Sequence, residues 1–153
     1  LIKYSIGVIS DTHSLIREEA LEALKGSDLI IHAGDIGKIE VIEELKKIAT
    51  VHCVIGNCDK GELKEVFPKN HVVEIEDTLI YILHNIDELD LDPETAGFSV
   101  VITGHSHKPA ISKKGNVLYL NPGSAGPKRF SLPISIAKID IENKEVKANI
   151  IEL

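Results

Sequence analysis

The chain has 153 residues, 43% hydrophobic and 27% charged, and its 17 Lys and Arg against 24 Asp and Glu leave a formal net charge of −7. This is ordinary globular composition, which excludes disordered, collagenous and membrane-embedded classes, and a chain of this length can bury one full core but would cramp two. The negative balance argues against long duplex nucleic acid as a partner, which needs a basic face to release counterions, whereas a small anion can be met by local cations or metal.

Residues 1–153 are therefore read as a single domain. The two cysteines, Cys53 and Cys58, have neither redox CxxC nor zinc-ribbon spacing, and the expected compartment is the reducing cytoplasm. The opening Leu1 to Ser5 holds too few apolar residues for an export signal, and no later run approaches about 18 apolar residues, so no membrane partner is expected.

In chain order, short β-branched runs at Tyr4 to Ser10, Leu29 to Ala33 and Val51 to Ile55 read as buried strands. Between them, Leu15, Ile16, Ala20, Leu21 and Leu24 share one helical face, closed by Gly26, and Ile39, Ile42, Leu45 and Ile48 share another. That alternation predicts a parallel sheet. Gly61 to Phe67, before Pro68, predicts a short further helix. From His71 onward strands dominate: His71 to Ile75, Leu79 to Leu83, Val100 to Thr103, Val117 to Asn121, Ile134 to Asp140 and Val146 to Ile151, the last two joined by a turn at Asn143 and Lys144. A β-α-β front half with a strand-rich back half fits two packed sheets with helices on the outer faces.

The chemistry lies in the loops that leave the strands. Asp11-Thr12-His13, Gly34-Asp35, Gly56-Asn57-Cys58-Asp59, His84-Asn85 and Gly104-His105-Ser106-His107 each close an apolar run. In an open α/β sheet ligands bind outside the carboxyl ends of the strands, so these loops should converge. Carboxylates and neutral imidazoles suit transition ions, and seven candidate ligands exceed one tetrahedral site but match two neighbouring metals sharing a carboxylate. A binuclear hydrolytic site is the expectation.

Asp-x-His, Gly-Asp, Gly-Asn-x-Asp, a strand-ending His and Gly-His-x-His, in that order, resemble the calcineurin-like metallophosphoesterases. Gly56-Asn57-Cys58-Asp59, and Asn121-Pro122-Gly123-Ser124 followed by Arg129, are similar to the small bacterial and archaeal phosphodiesterase branch. The resemblance runs from Ile6 to about Phe130. It implies a four-layer α-β-β-α sandwich of two mixed sheets, with one metal on Asp11, His13, Asp35 and His107 and another on Asp35, Asn57, His84 and His105. Asp35 would bridge. Manganese is the expected ion, with Ni, Co, Fe or Zn as alternatives.

Two positions depart from the larger family. Cys58 stands where a His assists the leaving group, and a thiol with an ordinary pKa of about 8.5 donates weakly. His84-Asn85-Ile86 replaces the common His-Gly-His and leads into an acidic run, Asp87 to Gly97, that reshapes the substrate wall. The expected activity is hydrolysis of a small phosphodiester by in-line attack of a metal-activated hydroxide, ahead of monoester hydrolysis. Asn57 and Cys58 would act at the phosphoryl group, Ser124 and Arg129 would contact substrate, and Asp59 would orient a ligand histidine.

His32, His52 and His71 are assigned to structure, and Cys53 to the core. The glycine spacing of Gly34 to Lys38 is too short for a phosphate-binding loop, and Pro122 to Gly126 lacks the first glycine of a nucleophile elbow. The rival expectation is a protein-interaction module resembling the retromer subunit of this fold, docking through Phe130, Leu132 and Ile134. The oligomeric state stays open, a weak dimer through the strand-rich edge being one arrangement.

Overall fold

A computed structural model describes residues 3–153; Leu1 and Ile2, part of the opening segment read for an export signal, lie outside the described residues. The front half runs β1 (Lys3–Ile9), α1 (Glu18–Leu24), β2 (Leu29–His32), α2 (Ile39–Lys46), β3 (Thr50–Cys53) and α3 (Glu62–Val66). The back half runs β4 (Asn70–Ile75), β5 (Thr78–Leu83), a 3-10 turn (Ile86–Glu88), α4 (Pro93–Ala96), β6 (Val100–Ile102), β7 (Ala110–Lys114), β8 (Val117–Asn121), β9 (Ser135–Glu142) and β10 (Glu145–Glu152).

These strands make two mixed sheets of five, ordered β10-β9-β1-β2-β3 and β4-β5-β6-β8-β7. In the first, β1, β2 and β3 are parallel, with Ile6 opposite Leu29 and Leu29 opposite Thr50, while β9 returns antiparallel beside β1. In the second, β5, β6 and β8 are parallel, and β4 and β7 are antiparallel edges. The parallel strands of both sheets deliver their carboxyl ends to the candidate loops.

The period of two sorts side chains into layers. Ile6 and Val8 of β1, Ile31 of β2, Ile80 and Ile82 of β5, and Val100 and Ile102 of β6 point between the sheets and are buried together. The alternate residues, Ile9 and Ile30, meet Ala20 and Leu24 of α1 and Ile42 and Leu45 of α2 on the outer face. Each such aliphatic side chain contributes about 1.5–3 kcal/mol by leaving water.

The four-layer sandwich stands, with one layer thinner than expected. Tyr81, Leu83, Val101 and Val117 on the outer face of the second sheet are covered by Leu89, Leu91 and Phe98, from the 3-10 turn and the segments flanking one-turn α4. Asp92 caps α4 by accepting from the Glu94 N–H at 3.2 Å, and Gly97 ends it at φ +90°.

Two further elements differ from expectation. Strand β7 is unanticipated because all five of its residues are exposed, so no apolar alternation marks it. Helix α1 starts at Glu18, leaving Leu15 and Ile16 in the preceding loop. There the main chain is already engaged: the N–H groups of Asp11, His13 and Ser14 donate to the carbonyls of Gly34, Asp35 and Ile36 at 2.8–3.0 Å. The hairpin turn is as expected, Asn143 and Lys144 both having φ above +50° as a type I′ turn requires. No described helix is long and apolar enough to cross a membrane.

Candidate metal centre

The expected loops meet. His13 and His107 lie 5.5 Å apart between ring centroids, tilted by 33°, and His84 and His105 meet edge to face at 5.2 Å. Donor atoms of Asp11, His13 and His107 lie within 4.8 Å of one another, as do those of Asp11, Asp35 and His84, and those of His13, Asp35 and Cys58.

The carboxylates are organised alike, with one oxygen occupied and one bare. Asp11 Oδ2 accepts from Ser10 Oγ at 2.7 Å and from the His105 N–H at 3.0 Å. Its Oδ1 has no hydrogen-bond partner, and the Nε2 atoms of His107, His84 and His13 stand 3.5, 3.7 and 4.0 Å from it. Asp35 Oδ1 accepts from the Cys58 N–H at 2.9 Å, while Oδ2 faces His84 Nε2 at 3.2 Å and His13 Nε2 at 3.7 Å. The Nε2 atoms of His13 and His84 and the Nδ1 of His107 are likewise buried without partners. Buried polar atoms left unmatched are costly, and acceptors aimed at one another are what a cation requires.

Tautomers are set by fixed partners. His84 Nδ1 lies 2.7 Å from the Ala33 carbonyl, which can only accept, so the proton sits on Nδ1 and Nε2 offers its lone pair to the centre. Asn57 turns its carbonyl oxygen toward His105 Nδ1 at 3.2 Å and its amide toward Cys58 Sγ at 3.5 Å, so the oxygen is available as a ligand. Asn57 and His105 are exposed, unlike the buried Asp11, Asp35, His84 and His107.

The backbone pays for this convergence in conformation. Asp11, His13, Asp35, His105 and His107 all have φ between +45° and +71°, the left-handed region that L residues avoid. Close packing accounts for the glycines: a Cβ on Gly56 would strike Asp35 Oδ1, and one on Gly104 would strike Ser10 Oγ and lie 2.7 Å from Asp11 Oδ2.

Electrostatics match the geometry. Burial pushes the Asp11 carboxyl up, against the pull of His84. Asp35 is held at about 2, its burial outweighed by His84, the Cys58 N–H and His13. Burial depresses His107, opposed by Asp11 and reinforced by the Arg129 guanidinium, which places Arg129 within electrostatic reach of the centre although its side chain is exposed. Burial, then the Asp35 charge, push the Cys58 thiol up, so it stays protonated.

Two expectations are corrected. Ser124 is not presented to a substrate: it is buried, its hydroxyl donating to the Asp11 carbonyl at 3.0 Å and accepting from the Gly126 N–H at 3.2 Å. Asp59 orients no histidine. It accepts from the N–H groups of Ile36, Gly37 and Gly56 at 2.9–3.2 Å, clasping the Asp35 loop to the Asn57 loop. Asn121 does the same for Gly104 and Ser106, donating to the Gly104 carbonyl at 2.9 Å and to Ser106 Oγ at 3.1 Å.

Ser10, which holds Asp11 Oδ2, has no signal in the sequence, because a lone serine closing a strand carries no pattern. The structural histidines behave as expected. His32 accepts from the Gly34 N–H on Nδ1 and faces Thr12 Oγ1 with Nε2 at 3.0 Å, and burial holds it down at about 3, so it is neutral. His52 and His71 face each other at 3.1 Å across β3 and β4, and Cys53 is buried, its thiol pushed up to about 12.

The chain belongs to the calcineurin-like phosphoesterase superfamily, whose domain model matches residues 4–144. It is 34% identical to a probable metallophosphoesterase of Methanothermobacter thermautotrophicus, over 95% of this chain and 91% of that protein. A solved structure described as a novel archaeal phosphodiesterase superposes with a TM-score of 0.80 at 28% identity, covering 96% of this chain and 99% of that one. Vacuolar protein sorting 29 from Cryptosporidium parvum, 21% identical, shares the fold with a TM-score of 0.78 over 100% of this chain and 99% of its own.

Proposed function

We propose that the chain is a metal-dependent phosphodiesterase with a binuclear centre. The observation that carries this is the paired arrangement of bare oxygens, Asp11 Oδ1 and Asp35 Oδ2, ringed by imidazole nitrogens at 3.2–4.0 Å. Asp11, His13, Asp35 and His107 would hold one cation, and Asp35, Asn57, His84 and His105 the other, with manganese the ion that best suits this oxygen and imidazole mixture. Divalent cations there would lower the pKa of a bound water and neutralise phosphoryl oxygens.

The chain's own residues set orientation and leaving-group range. Ser10 and the backbone N–H groups of His105 and Cys58 fix the carboxylates, so the bare oxygens keep their aim without substrate. Arg129 supplies a cation for the phosphoryl group, and the Asn57 amide a donor. Cys58, neutral and a weak donor, cannot protonate a basic alkoxide well, which favours diesters with good leaving groups over alkyl monoesters. The free thiols of Cys53 and Cys58 suit a reducing cytoplasm.

The test is turnover of an aryl phosphodiester by metal-stripped protein reconstituted with Mn. Activity should appear only with metal, vanish in Asp35→Asn, and extend to monoesters in Cys58→His. Protein that binds two metals yet hydrolyses neither ester class would overturn the reading. One observation favours a second reading, an interaction module: Phe130 is 89% exposed, although Leu132 and Ile134 beside it are half-buried. Full turnover in the first experiment would favour the enzyme over this reading.

A further inference from the structure

A cavity of about 460 Å³ opens beside the centre on the side of Asn57 and His84. That is more space than a phosphoryl group needs and falls within the roughly 300–1,000 Å³ of small-molecule sites. Besides these two residues it is lined by apolar Ile55 and Leu83 and by the charged Lys64, Lys69 and Glu88.

The main chain holds both lysines there. The Ile55 N–H donates to the Pro68 carbonyl at 2.9 Å, docking the segment before Lys69 against the strand end that leads into Asn57. Asn70 pairs with Leu83 in the β4–β5 ladder, which sets Lys69 beside the start of the His84 loop. Leu63 is buried and pins short α3, from which Lys64 projects. Among the described residues neither lysine enters an ion pair. Asp59, also at the cavity edge, is consumed by three backbone N–H groups, so Glu88 is the one carboxylate left to face them. The lining is formally charge-balanced, Lys64 and Lys69 against Asp59 and Glu88, but Asp59 is turned onto backbone N–H groups, which leaves both ammonium groups free to meet a ligand.

We infer that this cavity takes the organic half of the diester and that Lys64 and Lys69 bind a second phosphate carried on it. Two separate ammonium groups match a dianion better than a singly charged carboxylate, and Glu88 with Asn70 and Asn85 offers partners for hydroxyl groups between the two phosphates. The substrate class is thus a phosphodiester of an already phosphorylated alcohol, such as a phosphorylated nucleoside. This rests on the phosphodiesterase reading above.

The test compares two esters that differ only in the second phosphate: p-nitrophenyl thymidine 5′-phosphate and its 3′-phosphorylated form. Each consumes one water and releases nitrophenol, the second leaving thymidine 3′,5′-bisphosphate. The Mn-loaded protein should prefer the 3′-phosphorylated ester at least tenfold in kcat/KM, chiefly through KM. The Lys64→Ala/Lys69→Ala variant should lose that preference while keeping its rate on the plain ester. No preference in the parent protein, or a preference retained in the variant, overturns the inference. Calorimetric binding of thymidine 3′,5′-bisphosphate against the 5′-monophosphate separates this from the parent reading. If neither ester turns over but the bisphosphate binds tenfold tighter in a lysine-dependent way, the phosphodiesterase reading falls and the anion site stands. If binding does not depend on the lysines, the anion site falls whatever the turnover.

Discussion

Asp35 concentrates the logic of the centre in one residue. Its Oδ1 is spent on the Cys58 N–H, its Oδ2 is bare toward two imidazoles, and its backbone sits at φ +56°. A left-handed L residue costs roughly 1–2 kcal/mol, which the surrounding hydrogen bonds must offset. In metal-free protein Asp35→Gly should therefore be more stable than Asp35→Ala by about 1 kcal/mol, since both lose the carboxylate but only alanine keeps the strained Cβ. Equal unfolding midpoints in urea would remove strain from the account. The residues that present donor groups were readable because each closes an apolar strand, as Asp11 comes after Ile9-Ser10 and His84 after Ile82-Leu83. Their supports were not. Asp59 and Ser124 act on backbone groups distant in sequence, and a side chain whose partners are peptide groups leaves no spacing to read.

At the scale of elements, loops rather than helices hold the site, and Asp59 joins two of them. Asp59→Asn keeps one carbonyl acceptor where three N–H groups converge, so at least one is left unmatched. The expected loss is about 1–3 kcal/mol of stability, accompanied by weaker Mn binding in calorimetry as the Asp35 and Asn57 loops separate. A drop in stability with unchanged Mn affinity would show that the clasp serves folding alone. Strands such as β5 and β6 are legible because both faces are buried and apolar, Ile80 to Leu83 and Val100 to Ile102. Strand β7 was not, since an exposed edge carrying Lys113 and Lys114 needs only backbone pairing. The apolar periodicity of α1 extends to Leu15, but the helix starts at Glu18, because the hydrogen bonds of Asp11, His13 and Ser14 to Gly34, Asp35 and Ile36 hold the chain just before Leu15 in the loop.

At the scale of the whole molecule, the unmatched atoms of the centre connect metal occupancy to folding. Binding confined to the native state adds about 2.7 kcal/mol when free ion is 100 times its dissociation constant. At roughly 2–4 °C per kcal/mol for a chain of this size, chelation from that condition should lower the melting temperature by about 5–11 °C. An unchanged melting curve with EDTA would mean that the cluster holds no ion of consequence. The topology carries a further consequence, for the order of synthesis. β1 is central to its sheet and pairs with β9, Lys3 opposite Glu142, so β1 waits for a strand made much later than itself. Candidate ligands run from Asp11 to His107, yet the loop bearing Asp11 is tied down by Ser124 and Ala125, and its strand is walled by residues 135–142. A chain still emerging from the ribosome thus exposes its aspartates and histidines one by one without assembling them, and the centre forms only once residues 124–142 have emerged to enclose the Asp11 loop.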